Sequence, residues 1–391
     1  MPDAVVVATA RTPIGRARKG SLVGVDAFRL AEIAVGSVIE RAGVPTADID
    51  DLIVAESLQG GGVIARHTAV VLGLPDIPGM ADNRHCAAGL SAVAIGAGSI
   101  MAGMDRVVVA GGTESLSTSP QALKRLAGPG GDPVPWMSPS HPETPDAPAF
   151  DMSITVGENT SREMGLTRRD LDEWALFSTE NALRSIDEGR FEHEIVPVPV
   201  VGPDGEERTF SVDEHPRRGT TLDTLGALPV LHPEIDGATI TAGNAAGLND
   251  AAAAVMIVAS DYAEANGLTP LARIRSWAAI GLEPARTGMG PTLAIPKALD
   301  RAGVAQGDVA LWEINEAFCS VPIAAMRKLG IAQERMNQNG SGASLGHPIA
   351  CTGARMVVTM VNELRRRGDT LGCVSMCAGG GMGAALVLEA L

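Results

Sequence analysis

Aromatic residues are scarce in this chain: one Tyr, four Trp and six Phe make up 3% of 391 residues. A core without large rings must pack through small side chains and close backbone approach. The 46 glycines and abundant alanine point the same way. Cysteine is also sparse, and five is an odd count, which fits a reduced compartment better than a disulfide framework. No basic segment followed by an apolar one opens the chain at Met1-Pro2-Asp3-Ala4-Val5, so no signal peptide is expected. Long hydrophobic runs are missing too. Ala87 to Gly103 is interrupted by four glycines and two serines, and reads as a buried helix rather than a membrane span. Positive charge is in deficit: the formal net charge is -15. That disfavours a nucleic-acid or anionic-membrane surface, but leaves room for a local basic patch facing a phosphorylated ligand. The expectation is a soluble, cytoplasmic protein without nucleic-acid partner or membrane insertion. Hydrophobic residues at 45% allow a large core, and the length suggests two or three domains.

The chain reads as alternating strands and helices. Val5–Ala8 is a β-branched strand, Asp26–Ala42 has helical spacing ending at Gly43, and Leu52–Ala55 is a second strand. Leu90–Met101 is apolar nearly all round, as for a helix without a solvent face, and Val107–Ala110 is a strand running into Gly111-Gly112. From about Ser117 the texture changes. Pro129 to Pro148 lacks periodicity and reads as a functional excursion. Arg168–Glu188 is a charged helix, and Ile195–Pro216 is mixed and polar. Ala251–Ala259 and Leu271–Trp277 are strand candidates. Lys297–Leu299 lies in a helix stopping near Gly303, Leu311–Ile314 is a strand, Thr352–Arg367 a helix, and Gly372–Cys377 a strand. Element order suggests two copies of one α/β unit with an insertion between them, with Gly111-Gly112 matching Gly379-Gly380-Gly381.

Three glycine-rich settings carry the chemistry. Cys86, in Asn83-Arg84-His85-Cys86-Ala87-Ala88-Gly89-Leu90, stands at a helix start, where free N–H groups and the dipole favour a thiolate. His347, in Gly346-His347-Pro348, is either a turn histidine or a base for a thiol. Cys377 precedes Gly379-Gly380-Gly381 on a strand whose face it shares with Cys373 and Ser375. Asn315-Glu316 follows a strand end, as a helix cap or as an amide that orders water or donates to an oxyanion. Zinc held by Cys86, His347 and Cys377 would need a fourth ligand, so no metal is expected. The Gly379-x-Gly381 run is no dinucleotide fingerprint, because no βαβ unit can follow it.

Taken together these segments resemble the thiolase family over essentially the whole chain. Asn83–Leu90 is similar to its nucleophile block, Asn315-Glu316-Ala317-Phe318 to its Asn-Glu-Ala-Phe block, Gly342–Pro348 to its Gly-His-Pro block, and Cys377–Gly383 to its C-terminal cysteine block. Gly111–Ser115 and Thr241–Asp250 also resemble family segments. The resemblance implies an α/β fold of two similar mixed-sheet halves in an αβαβα arrangement. The halves would be 1–118, completed by 244–268, and 269–391, with a loop domain at 119–243 covering coenzyme A. It implies thiolysis of 3-oxoacyl-CoA to acetyl-CoA and a shortened acyl-CoA, or the reverse condensation of two acetyl-CoA. Cys86 would be the nucleophile, His347 its base and Cys377 the proton carrier. Asn315 would hold a water at the enolate, with Gly379 and Glu316 as oxyanion and supporting residues. Arg217, Ala246 and Phe318 would meet the acyl-CoA. CoA would be a co-substrate with no tightly bound cofactor, and the assembly a homodimer or homotetramer. Ala88, Ala246 and Met152-Ser153-Ile154-Thr155 depart from the family pattern, which bears on substrate choice. A CoA- or lipid-binding protein without catalysis is the alternative from another class.

Overall fold

The computed structural model describes residues 2–59, 61–126, 131–202 and 204–391; Pro129, where the aperiodic stretch was expected to begin, lies outside the described residues. The first half runs β1 (Ala4–Arg11), α1 (Ala27–Ala42), β2 (Asp51–Ala55), α2 (Ala88–Met101) and β3 (Val107–Ser115). An insertion follows, whose longest helix is α3 (Arg168–Asp187), and then β4 (Asn249–Ala259). The second half runs β5 (Ala272–Gly281), α4 (Gly290–Ala302), β6 (Leu311–Ile314), α5 (Ile349–Arg367), β7 (Leu371–Ala378) and β8 (Met382–Ala390).

The halves are copies in register as well as in order. Strands lie β1-β4-β3-β2 in one and β5-β8-β7-β6 in the other. In each, the first two pairings are antiparallel and the last is parallel. The register slips at Val7 of β1 and again at Arg275 of β5, each the fourth residue of its strand. Asp26 caps α1 by accepting the Arg29 N–H at 2.8 Å, and Gly43 ends it at φ 63°. Gly303 ends α4 at the same φ of 63°. Arg41-Ala42-Gly43-Val44 is thus repeated as Arg301-Ala302-Gly303-Val304, a stretch of residue identity that element order alone overlooked. Val5 and Val6 pair with Arg273 and Ala272, joining the two half-sheets at their first strands.

Helices α2 and α5 pack on each other and on both half-sheets, while α1 covers the outer face of one and α4 that of the other. The layers are therefore αβαβα. Fourteen of the nineteen residues of α5 are buried, so it has almost no solvent face. Helix α2 is less enclosed than expected, because Ile95 is 39% exposed.

Several elements were not legible in the sequence. They include the helices Ile64–Val71 and Ser320–Leu329, strand β8, and the hairpins Ala122–Arg125/Pro133–Trp136 and Val198–Val201/Glu207–Phe210. Gly111 and Gly112 also do not match the C-terminal glycine loop; they lie inside β3, where added Cβ atoms would strike the carbonyls of Ala253 and Ala350. The counterpart of the Gly379–Gly381 turn, which joins β7 to β8, is the insertion itself, which joins β3 to β4. That insertion is tied down by Arg11 at the end of β1. Its fully buried guanidinium donates to Glu194 at 2.6 Å and to both oxygens of Asp213 at 2.8 and 2.9 Å. Truncating one member of such a buried set leaves an uncompensated charge and costs about 3–5 kcal/mol.

Candidate active site

The two middle helices point their first turns at each other, and glycine makes this possible. A Cβ on Gly89 would strike the Ala350 carbonyl, and one on Gly353 would strike the Leu90 N–H. Cys86 and His347 each stand two residues ahead of their helix. Gly89 is three residues past Cys86, and its partner Ala350 is three past His347. Packing of the helices thus brings the thiol segment of one half against the imidazole segment of the other. Glu114, at the end of β3, accepts the Ala350 N–H at 3.0 Å and fixes the start of α5 to the first half.

Cys86 sits in a tight turn. Asn83 Oδ1 accepts the His85 N–H at 2.8 Å, His85 has φ 46°, and the Arg84 and His85 carbonyls accept the N–H groups of Ala87 and Ala88. Those two helix-start donors are therefore spent on the turn and do not face the sulfur. The donors that lower the thiol pKa are the N–H of Gly379 and its own. Burial outweighs them and pushes the Cys86 thiol up to about 11. The expected thiolate at a helix start is thus corrected: the resting group is a neutral thiol. Arg84 gives its Nη1 to Ser91 Oγ at 2.7 Å.

His347 is buried and uncharged. Burial first, and then the Arg355 guanidinium, bring it down to about 4. Arg355 is itself buried and ion-paired with Glu313 of β6. Thr352, one turn into α5, decides the tautomer. Its single hydroxyl proton goes to the Pro348 carbonyl at 2.8 Å, so its oxygen accepts from His347 Nδ1–H at 2.6 Å. The proton then resides on Nδ1, and Nε2 presents a lone pair with no protein partner. Asn249 Oδ1 accepts the His347 backbone N–H at 3.0 Å, and the Asn249 amide donates to the Gly15 carbonyl at 2.9 Å. Neither Thr352 nor Asn249 was recognised as an orienting group in the sequence. Thr352 lies five residues past His347, within reach of a helix turn that begins at the proline.

Cys377 lies near the end of β7, and burial, then the neighbouring Cys86 sulfur, raise its thiol pKa. Ile314 pairs with Ser375 in the parallel β6–β7 ladder, and the Asn315 N–H donates to the Ser375 carbonyl at 2.9 Å. Asn315 thus leaves the sheet beside the segment that ends in Cys377. Its side chain is fully buried, and neither Oδ1 nor Nδ2 has a protein partner. A buried amide without partners is costly unless something else satisfies it. Glu316 is the opposite case. Its carboxylate accepts from Trp174 Nε1 at 2.9 Å, Ser178 Oγ and Asn337 Nδ2 at 2.6 Å each, and the Ala343 N–H at 3.1 Å. It ties α3 to the loop ahead of His347.

At the glycine turn the two candidates differ. Gly380 has φ 86°, and an added Cβ would lie 2.7 Å from the Ser140 carbonyl. At Gly379 an added Cβ would come no nearer than 3.6 Å to His85, so the protein itself leaves room there. Phe318 bridges Ala245, and the Ala246 N–H donates to the Ala317 carbonyl at 2.9 Å, so Ala246 and Phe318 share one wall. Arg217 is exposed. Met152 precedes a π-helical turn, Ser153–Glu158, rather than an open loop. No cluster of three or more His, Cys, Asp or Glu that could hold a metal occurs among the described residues, and no helix there is long and apolar enough to cross a membrane.

A duplicated α/β fold that presents a half-buried thiol from one half to an imidazole and a second thiol from the other defines a class of cysteine enzymes. The family models for the thiolase N-terminal domain and the thiolase C-terminal domain match residues 4–261 and 268–390. A Bacillus subtilis protein named 3-ketoacyl-CoA thiolase is 40% identical over the full length of both chains. An Escherichia coli acetyl-CoA acetyltransferase is also 40% identical over the full length of both. The crystal structure of human mitochondrial 3-ketoacyl-CoA thiolase superposes with TM-score 0.91 at 32% identity, covering 100% of this chain and 99% of that one. The chain belongs to the thiolase family and is an acyltransferase.

Proposed function

We propose that the protein cleaves 3-oxoacyl-CoA with CoA, giving acetyl-CoA and an acyl-CoA two carbons shorter. The observation that carries this reading is a pair of neutral groups at two helix starts that pack on each other: the Cys86 thiol under the Gly379 N–H, and His347 with a free Nε2. His347 Nε2 takes the Cys86 proton as the sulfur attacks C3 of the substrate. The C2–C3 bond breaks and its electron pair passes into the enolate of acetyl-CoA. Nε2–H, now protonated, and a water held by the Asn315 amide face the enolate oxygen. Cys377 delivers the proton to C2. CoA thiol then gives its proton to the Cys377 thiolate and attacks the acyl-Cys86 carbonyl. The N–H groups of Cys86 and Gly379 receive the tetrahedral oxyanion. Collapse returns Cys86, which recovers its proton from His347.

The same residues serve condensation of two acetyl-CoA, and relatives named for each direction are equally similar at 40% identity. In this reading residues 119–243 form a loop domain over CoA, between halves 1–118 with 244–268 and 269–391. Ala246 and Phe318 line the pantetheine path, with Arg217 near the nucleotide. CoA enters as a co-substrate, and the protein is cytoplasmic. A homodimer or homotetramer is the proposed assembly, supported by exposed Val63, Val70, Val71 and Met80 beside the outer sheet edge. The test is Cys86→Ala assayed with a panel of 3-oxoacyl-CoAs, together with mass spectrometry of acylated wild type. Loss of thiolysis and of the acyl adduct, with circular dichroism unchanged, is expected. An active variant would sink the mechanism.

A further inference from the structure

The open side of the glycine turn is walled by polar groups. A Cβ added to Gly379 would point into a gap whose nearest atoms belong to His85, at 3.6 Å, and Ser140, at 3.8 Å. Gly379 also turns its N–H to the Cys86 sulfur, so the gap begins at the thiol. His85 comes from the first half, one residue before Cys86, and Ser140 comes from the insertion. Both are half-buried, and neither offers an apolar side chain to an alkyl group.

The hydrogen bonds fix what each group presents. His141 is buried, and its Nε2 lies 2.9 Å from the Ala147 carbonyl, which can only accept. Nε2 therefore carries the proton, and Nδ1 is a bare acceptor. Ser140 Oγ, 2.8 Å from Nδ1, donates its one proton there and keeps only lone pairs for the gap. The loop that bears Ser140 is tied down. Thr144 and Ala147 exchange backbone hydrogen bonds at 3.0 and 3.2 Å, and the Pro148 carbonyl accepts from Thr155 Oγ1 at 2.7 Å. His85 is held through its backbone N–H on Asn83 Oδ1 at 2.8 Å, and neither ring nitrogen has a partner among the described residues. Burial and then His141 lower its pKa, so the ring is uncharged and presents one N–H and one lone pair.

The pantetheine path proposed above follows Ala246 and Phe318 on the His347 side, since Leu248 bridges His347. The gap beside His85 is left for the acyl chain. An alkyl chain there would leave the Ser140 lone pairs and the His85 nitrogens unpaired. A carboxylate would face those lone pairs and an uncharged ring. A hydroxyl group donates to Ser140 Oγ and accepts from the His85 N–H. We infer that His85 and Ser140 select acyl groups with a hydroxyl close to the reacting carbonyl, so that the substrates are hydroxylated 3-oxoacyl-CoAs. The inference rests on the thiolase reading above and names its acyl class.

The test reads acyl transfer to Cys86 from four-carbon CoA thioesters, the reverse of the last step above. The Cys86 sulfur attacks the thioester carbonyl, and CoA leaves as the thiol with the Cys86 proton. Rapid quenching and intact-protein mass spectrometry give the rates with butyryl-CoA, each enantiomer of 3-hydroxybutyryl-CoA, and succinyl-CoA. A neutral hydrogen bond is worth about two- to tenfold. The better 3-hydroxybutyryl enantiomer should therefore acylate about tenfold faster than butyryl-CoA, with succinyl-CoA slowest. Ser140→Ala should cut that ratio to about threefold or less. His85→Asn, which suits φ 46° and shortens the side chain, should do the same. A ratio taken within one variant cancels any general loss of activity. Equal rates for the three acyl groups in wild type, a preference for succinyl-CoA, or a ratio that survives both substitutions would overturn the selection and leave the thiolase reading standing. No adduct on Cys86 with any of the thioesters would remove that reading and the inference with it.

Discussion

The Thr352→Val substitution isolates the proton geometry at His347. Valine keeps the shape of threonine and removes only the oxygen that accepts Nδ1–H at 2.6 Å. In the resting state a buried N–H loses its acceptor, which costs about 1–3 kcal/mol and weakens the preference for the Nδ1–H tautomer. After proton transfer the same N–H belongs to an imidazolium, and a hydrogen bond to a charged group is worth about 1.5–3 kcal/mol. Set against the net worth of a neutral hydrogen bond, about 0.5–1.5 kcal/mol, the charged state loses about 1 kcal/mol more than the neutral one, and the barrier rises by that difference, roughly fivefold in kcat. Binding is not touched, so KM should hold. The acid limb of the rate profile should not move upward, because loss of an acceptor for Nδ1–H lowers a His347 pKa already near 4. The deficit should thus be uniform from pH 6 to 8. Steady-state thiolysis of acetoacetyl-CoA over that range is the assay, with Thr352→Ser as the control that restores the oxygen. A valine variant within threefold of wild type, or a serine variant equally impaired, would refute the tautomer argument.

Two further outcomes follow from the same geometry. Cys86 is the one cysteine of the five that is not fully enclosed, and its pKa is raised to about 11. In the free enzyme its alkylation by iodoacetamide should climb about tenfold per pH unit from 8 to 10, because only the thiolate reacts; a plateau below pH 8 would mean a preformed thiolate–imidazolium pair. The glycine turn separates folding from chemistry. Gly380→Ala meets φ 86° and the Ser140 carbonyl and should lower stability by about 1–3 kcal/mol in denaturant titration. Gly379→Ala should leave stability nearly unchanged and reduce activity, and a comparable destabilisation at both positions would contradict the contacts read at the turn.

Much of the framework was written in the sequence because it rests on local signals. Asp26 and Gly43 bracket α1, and the β-branched runs mark β1, β2 and β3. Strand β8 was missed because Ala384-Ala385 and the preceding glycines carry little β propensity; its place is set by pairing on both sides with β7 and β5. Gly111-Gly112 misled for a related reason. A glycine pair is usually a break, but here both residues are extended and lie where the Ala253 and Ala350 backbones come too close for a side chain. At the site, Cys86, His347 and Cys377 stood out by their glycine-rich surroundings. Thr352 and the pKa of Cys86 did not, since one depends on where a hydroxyl proton goes and the other on burial.

The duplication separates scaffolding from chemistry more sharply than burial does. Gly43 and Gly303 each stand eight residues before β2 and β6, so Ala55-Glu56 corresponds to Asn315-Glu316. Glu56 accepts the N–H groups of Gly61 at 3.1 Å and Ile64 at 3.2 Å and fixes the chain that enters the helix Ile64–Val71. Glu316 fixes the loop that enters Gly342–Leu345 in the same manner. The glutamate is thus a device of both copies, including the one with no reacting group at that strand end, and its role at Glu316 is structural. Asn315 has only a methyl group as its counterpart, Ala55, yet its amide is buried and unpartnered. Folding of the unit does not require it, which supports the water-holding role proposed for it at the enolate. The same comparison places Cys86 and His347 at equivalent points, two residues before α2 and α5. On the proposed mechanism one duplicated helix start would carry the nucleophile in one copy and its base in the other, and the close approach of Gly89 to Ala350 that seats the helices brings the two segments together.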